Sequence, residues 1–511
     1  MTFFESLVAL LLMAVLLLQV SRRSSIPYPT LLAAAGLVVA LLPGTPAIQL
    51  DGHTTLALFV APVLLDAAFD FPLSAIRKLW RPLVSLAVIA VLLTTGVVAW
   101  IGWQFAGLPI AAAITLGAIV APPDAAAATT VLQSARLPRR TTQLLTGESL
   151  LNDASALLLY SAAVAIQSHG GIDGAVAVRL GLAAPGGIAL GLAMGWLLSH
   201  AVPHTRGTLG GNILEFANTY LAWIVAERLG LSAVLCVVTM GMFIATSPAV
   251  TADARSRVQS FAVWSVAVFL LNVLAFLLMG MQARQIIGGM TPERLREALS
   301  FAGLVVAGVI GTRMLWVMTY NRLSARFESL RGGYPHSSVA QGVAIGWCGM
   351  RGLVTLAAAF ALPGDFPQRD LIVLSAFAVV IATLVLQGLS LSPLIRVLGL
   401  RAGDGPDPEE EAARRSLADA ALAAIDGELG KVATESRRQL EIDRESIDGV
   451  CADFNERQRL KLKAIHAQRA ALSDLRDADA VGQTGYLQLQ EELDWRELAI
   501  GPAGRRGIEE G

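Results

Sequence analysis

Charge is what this chain has least of for its length. Only 15% of its 511 residues are Asp, Glu, Lys or Arg, against roughly a quarter in soluble domains. With 54% hydrophobic residues and a mean hydropathy of +0.60, that scarcity excludes a soluble enzyme and makes the chain a polytopic membrane protein. Cysteine is scarce too. Cys236, Cys348 and Cys451 lie far apart and form no CxxC pair, so neither a disulfide framework nor a zinc site is suggested. Histidine is little used: His200 and His204 share i,i+4 spacing but have no neighbouring acid, so a resident metal is not suggested and no cofactor is expected.

The few charges are unevenly divided. Residues 401–511 carry 24 acids and 16 bases, a net of −8, which leaves +7 for residues 1–400. A basic transmembrane domain, 1–400, is therefore followed by an acidic, water-facing tail, 401–511. Apolar positions Leu417, Ala421, Ile425 and Leu429 recur in the tail at a helical period, broken by Gly427, Gly430 and Gly449, so helical hairpins are expected. The mixed charges of 456–477 read as a solvated helix face or as a contact with the membrane domain or a second subunit, not as a nucleic-acid site.

A bilayer core of about 30 Å needs roughly 20 helical residues per crossing. Apolar runs at 5–20, 28–44, 55–69, 81–103, 109–131, 143–167, 177–199, 213–228, 231–246, 261–280, 300–320, 338–360 and 371–396 give 13 spans. If 213–246 were one helix despite Glu227, Arg228 and Gly230, there would be 12. Loops after odd-numbered spans hold 14 Lys and Arg and loops after even-numbered spans hold 5. Because short cytoplasmic loops carry the basic excess, this predicts an N-terminus outside and a cytoplasmic tail, in a cell membrane. The first span has Glu5 and no basic leader, so it reads as a retained helix. Segment 288–299, with Thr291 as N-cap and Pro292 at the first helical position, is expected to form a short surface helix.

Against this apolar background the intramembrane polar residues stand out, because a charge in hydrocarbon is costly unless it is paired or faces a wet cavity. In 117–124, GAIVAPPD, two prolines cannot donate helical hydrogen bonds, so the helix should open at Pro122–Pro123 with Asp124 at the break. Broken backbone at membrane depth survives where it lines a cavity or is buried in protein. In the next span, Glu148 and Asn152 share one face and Ser149 and Asp153 the neighbouring one. Ser149, Asp153 and Asp124 can offer hard oxygen ligands to a small cation. Arg351, among Gly346, Gly349 and Gly352, is the expected counter-charge for Glu148. Arg313 can snorkel or pair with Glu227, and Asp66 can serve an access path or helix packing. This constellation points to ion movement.

At these residues the chain resembles the monovalent cation/proton antiporters of the first family, the sodium/proton exchangers. The resemblance rests on GESLLND at 147–153, the break at 117–124, GMRGLVTLAAAFALP at 349–363, APVLLDAAF at 61–69 and AERLGLSAVL at 226–235, and it spans roughly residues 5–396. It implies an all-α fold of inverted repeats whose unwound helices cross at the ion site, with a dimerisation domain and a mobile core, in a homodimer within the lipid bilayer. It also implies Asp124, Ser149 and Asp153 as ligands of the transported cation, Na+ or alternatively K+ or Li+. By the same resemblance, Asn152–Asp153 looks like the electroneutral type, and Glu148 with Arg351 looks like the structural ion pair. The family's threonine before the first acid is replaced here by Pro123, which leaves ion selectivity open.

The expected mechanism is competition. Asp153, sharing protons with Asp124, holds a cation or a proton, and either load lets the core rock between sides. The rival readings are a cation channel or sensor without proton coupling, and a symporter for an organic solute.

Overall fold

The structure is a computed structural model. It describes residues 3–24, 28–41, 52–124, 139–169, 171, 174–205, 209–247, 254–288, 290–331, 338–400, 408–447, 454–477 and 483–500, and all regular structure among them is helical. The second half of the 109–131 span, from residue 125, and Cys451 lie outside these residues.

The chain divides into two compact units near residue 402. The first begins with α1 (Phe3–Ser24), α2 (Tyr28–Leu41) and α3 (Gly52–Asp70). Then come α4 (Leu73–Val84) and α5 (Ala90–Ala106), joined by a π-helical turn at Ser85–Ile89, and α6 (Ile110–Val120). After these follow α7 (Arg139–His169), α8 (Gly174–Thr205), α9 (Leu209–Arg228), α10 (Ala233–Ala245), α11 (Ala254–Gly288) and α12 (Pro292–Arg326). The unit closes with two short helices, α13 (Val339–Trp347) and α14 (Leu353–Phe360), and the long α15 (Arg369–Val397). Seven of the described helices are long and apolar enough to cross a membrane, and Leu11–Ser21, Ile110–Val120 and Ala233–Ala245 are shorter apolar segments. The molecule is an all-α, multi-pass membrane protein.

Two local outcomes follow from sequence chemistry. The 213–246 stretch is two helices: α9 stops at Arg228, Gly230 turns the chain at φ +69°, and Ser232 caps α10 by accepting from the Leu235 N–H at 3.3 Å. The helix expected as a short surface helix over 288–299 is instead, from Pro292 on, the first turns of the 35-residue α12. Thr291 does cap it, accepting from the Arg294 N–H at 3.4 Å, but nothing between Leu299 and Phe301 stops a helix once begun.

Helices α2, α3 and α8–α11 pack as one group, α4–α7 with α12–α15 form another, and α3 lies against α14 between them. Glycine sets the closest approach in the first group. A Cβ on Gly187 would lie 2.6 Å from the Ser232 carbonyl, and Gly191 and Gly195, at successive i,i+4 positions, meet Cys236 and Phe243 of α10. Small residues at this spacing let helix backbones approach where lipid gives no hydrophobic drive to pack.

The second unit holds α16 (Pro408–Ala424) and α17 (Lys431–Ile447), which pair, and α18 (Phe454–Asp477) and α19 (Gln483–Ile500), which pair around Ile465, Leu472 and Leu493. Arg469 of the 456–477 stretch is bound by Asp494 and, at 2.7 Å, by Glu497 of α19.

Candidate functional site

Two breaks in helical backbone meet inside the second group. Helix α6 ends at Val120, and Pro122 and Pro123 supply no N–H to continue it. Residues 348–352 separate α13 from α14. The two unwound segments touch directly: the Asp124 N–H donates to the Met350 carbonyl at 2.6 Å. A side chain on Gly352 would run into the Asp124 carboxylate, so glycine is what lets the acid reach the first turn of α14. That turn carries the positive end of the helix dipole, which favours a carboxylate.

Breaking a helix in a membrane frees carbonyls that must find donors. The buried Arg351 meets most of that need. Its Nε donates to Val120 O at 3.1 Å, one Nη to Ala121 O at 3.4 Å and the other to Gly349 O, while its own N–H donates to Thr383 Oγ1 at 3.0 Å. Asn152 of α7 donates from Nδ2 to Pro123 O at 2.9 Å. Arg351 thus closes the carboxyl end of α6, where a cation is favoured, and Asn152 fixes α7 against the break.

That arrangement corrects the expected ion pair. Glu148 is bound by Arg313 of α12, not by Arg351: Nη2 donates to Oε2 at 3.0 Å and Nη1 to Oε1, a two-pronged contact between side chains 2% and 1% exposed. Arg313 Nη2 also donates to Ile345 O at 3.2 Å, near the carboxyl end of α13. Arg313 therefore does not pair with Glu227, whose Oε1 lies 2.7 Å from His53 Nδ1 at the surface. Arg351 fails to reach Glu148 because its guanidinium is spent on carbonyls of the unwound segments.

Asp153 is buried on α7 and interacts electrostatically with Asp124 across the crossing, and Ser149 lies one turn before it, half-buried. The structure so brings together Asp124, Pro123, Ser149, Asn152, Asp153 and Arg351, with the Glu148–Arg313 pair beside them. Asp66 lies on α3, half-buried, one turn and a half before Phe71, whose ring meets Gly147 of α7. Thr383 was not anticipated. Its signal was a polar residue in the apolar run of α15, on one i,i+4 face with Ser375 and Gln387, all fully buried.

His200 and His204 hydrogen-bond through Nδ1 to carbonyls of their own helix, Trp196 O at 2.8 Å and His200 O at 3.1 Å. Among the described residues no group of three His, Cys, Asp or Glu is placed to hold a metal.

Residues 8–397 match the family described as sodium/hydrogen exchanger, transmembrane. The chain belongs to the sodium/hydrogen exchanger family. It is 30% identical to an uncharacterized Na+/H+ exchanger of Mycobacterium tuberculosis over 97% of this chain and 95% of that one. It is 26% identical to a sodium, potassium, lithium and rubidium/H+ antiporter of Bacillus pumilus over 93% of this chain and 74% of that one. Among solved structures, the sodium proton antiporter MjNhaP1 of Methanocaldococcus jannaschii at pH 8 shares the fold. Its TM-score is 0.64 at 19% identity, covering 77% of this chain and 98% of that one. The exchanger is thus a secondary active transporter that couples a monovalent cation to protons by alternating access, and not an enzyme. The cation is its cargo.

Proposed function

We propose that Asp124, Ser149 and Asp153 form the site at which this exchanger loads Na+ or H+, one excluding the other. The observation that carries this reading is the crossing itself: the Asp124 N–H on Met350 O at 2.6 Å and Asn152 on Pro123 O at 2.9 Å hold the half-buried Asp124 and the buried Asp153 in mutual range at a break in the membrane helices. Helix breaks of this kind present dipole ends and free carbonyls to ions near the bilayer midplane. Two acids so close resist full ionisation together, so a proton or a cation must share the site. Glu148, neutralised by Arg313, keeps out of that exchange.

In this reading the transport unit is residues 1–400, with 13 crossings in inverted repeats, the N-terminus outside and the C-terminus cytoplasmic. It works as a homodimer and exchanges one Na+ for one H+ without net charge. Residues 401–511 form a regulatory tail. The Bacillus pumilus relative's name gives reason to try K+, Li+ and Rb+ beside Na+.

The test is cation-dependent dequenching of a pH dye in everted vesicles, with each of the four cations. Asp153→Asn and Asp124→Asn should both abolish the response while the protein still reaches the membrane. Exchange retained in Asp153→Asn would refute the assignment, and current without proton countermovement would favour a channel.

A further inference from the structure

A cluster of cations without ion-pair partners among the described residues lies at one membrane face. Helix α4 buries Ala75, Leu79, Pro82 and Leu83 and turns Arg77, Lys78, Trp80 and Arg81 outward. It continues through the π turn into α5, giving 34 helical residues. At 1.5 Å per residue this is about 51 Å, well beyond a hydrocarbon core of about 30 Å. Trp80 and Trp103, 52% and 54% exposed, lie about 34 Å apart along this helix by the same rise, as two interfacial belts should. The basic turns of α4 therefore stand at headgroup level.

The last turn of α12 joins them. Asn321 and Ser324 face inward, while Arg322, Arg326 and Phe327 are exposed. Arg81 donates to Ser329 O, just beyond α12, and Trp316 Nε1 donates to Ser85 O at 3.1 Å, so both basic ends share one face. Arg81 also lies over the Trp80 ring at 5.1 Å. No ion pair among the described residues involves Arg77, Lys78, Arg322 or Arg326. Among the described residues, the acids that flank these segments in sequence, Asp70 and Glu328, are exposed.

We infer that this patch binds anionic phospholipid, its cations taking the phosphate headgroup and its exposed Trp80, Val84, Leu323 and Phe327 taking the upper acyl chains. Charge complementarity selects the occupant: four free cations clustered at headgroup depth attract a net-negative lipid and gain little from a zwitterionic one. The site also has a route to transport, because α4 and the π turn pack on α7, the helix of Glu148 and Asp153.

Native mass spectrometry of the full chain, purified in detergent with equal phosphatidylglycerol and phosphatidylcholine, reads binding without relying on the antiport reading. The wild type should retain phosphatidylglycerol several-fold over phosphatidylcholine. The variant Arg77→Gln/Lys78→Gln/Arg322→Gln/Arg326→Gln should lose that preference, and the Arg→Lys version at the three arginines should keep it. Millimolar glycerol phosphate should not displace the lipid; displacement would mean that a free phosphate, not a lipid, is the ligand. In vesicles, exchange by the wild type should rise with phosphatidylglycerol content, and the Gln variant should stay at the phosphatidylcholine level. Equal lipid retention by wild type and a Gln variant that elutes as a folded protein would overturn the inference. Retention without exchange in any lipid would instead count against the transport site.

Discussion

The Arg313 guanidinium grips the Glu148 carboxylate with both Nη groups, Nη2 and Oε2 lying 3.0 Å apart and both side chains out of reach of solvent. Removing one partner leaves a bare charge in the interior, which typically costs about 3–5 kcal/mol. Arg313→Gln and Glu148→Gln should each lower the thermal unfolding midpoint in detergent strongly, and the double variant should cost far less than the sum. Arg351→Gln combined with Glu148→Gln should come closer to additivity. Additive losses for Arg313 and Glu148 would mean that the pair is not a unit.

Gly352 leaves no room for a side chain beside the other unwound segment, because any Cβ there meets the Asp124 carboxylate. Gly352→Ala should displace Asp124 and abolish exchange, measured by dye dequenching, while the protein still inserts and elutes as a folded species. Normal transport by this variant would show that the contact is dispensable.

Thr383 Oγ1 accepts the Arg351 N–H at 3.0 Å and donates to Val379 O at 2.8 Å in its own helix. Replacing Thr383 with Val keeps the shape and leaves a buried N–H unsatisfied, at about 1–3 kcal/mol. The thermal midpoint should fall with Thr383→Val and recover with Thr383→Ser. A midpoint unchanged in Thr383→Val would place the Arg351 N–H in another contact.

How far these features could be read from sequence depends on the range of the physics behind them. The opening at Asp124 was legible because it is local: two prolines in an apolar run cannot continue a helix, and α6 ends at Val120 as that requires. The shared face of Glu148 and Asn152 was legible from helical spacing alone. The partner of Glu148 was not. Two intramembrane arginines were available, and the choice was decided by what else each guanidinium must satisfy. Arg351 sits in an unwound segment and is consumed by Val120, Ala121 and Gly349 carbonyls, a demand visible only once the two breaks are seen to cross. Segment 288–299 shows the converse limit: its start was read correctly from Thr291 and Pro292, but its end was assigned by polarity where no chemical stop exists.

In the proposed mechanism, cation and proton compete for the Asp124 and Asp153 carboxylates. Calorimetric titration of the detergent-purified exchanger with Na+, repeated in buffers of different ionisation enthalpy, counts the protons released per cation bound. The expected result is proton release in step with Na+ binding, weaker binding at lower pH, and neither binding nor release in Asp153→Asn. Tight Na+ binding with no proton released, or unchanged in Asp153→Asn, would contradict it.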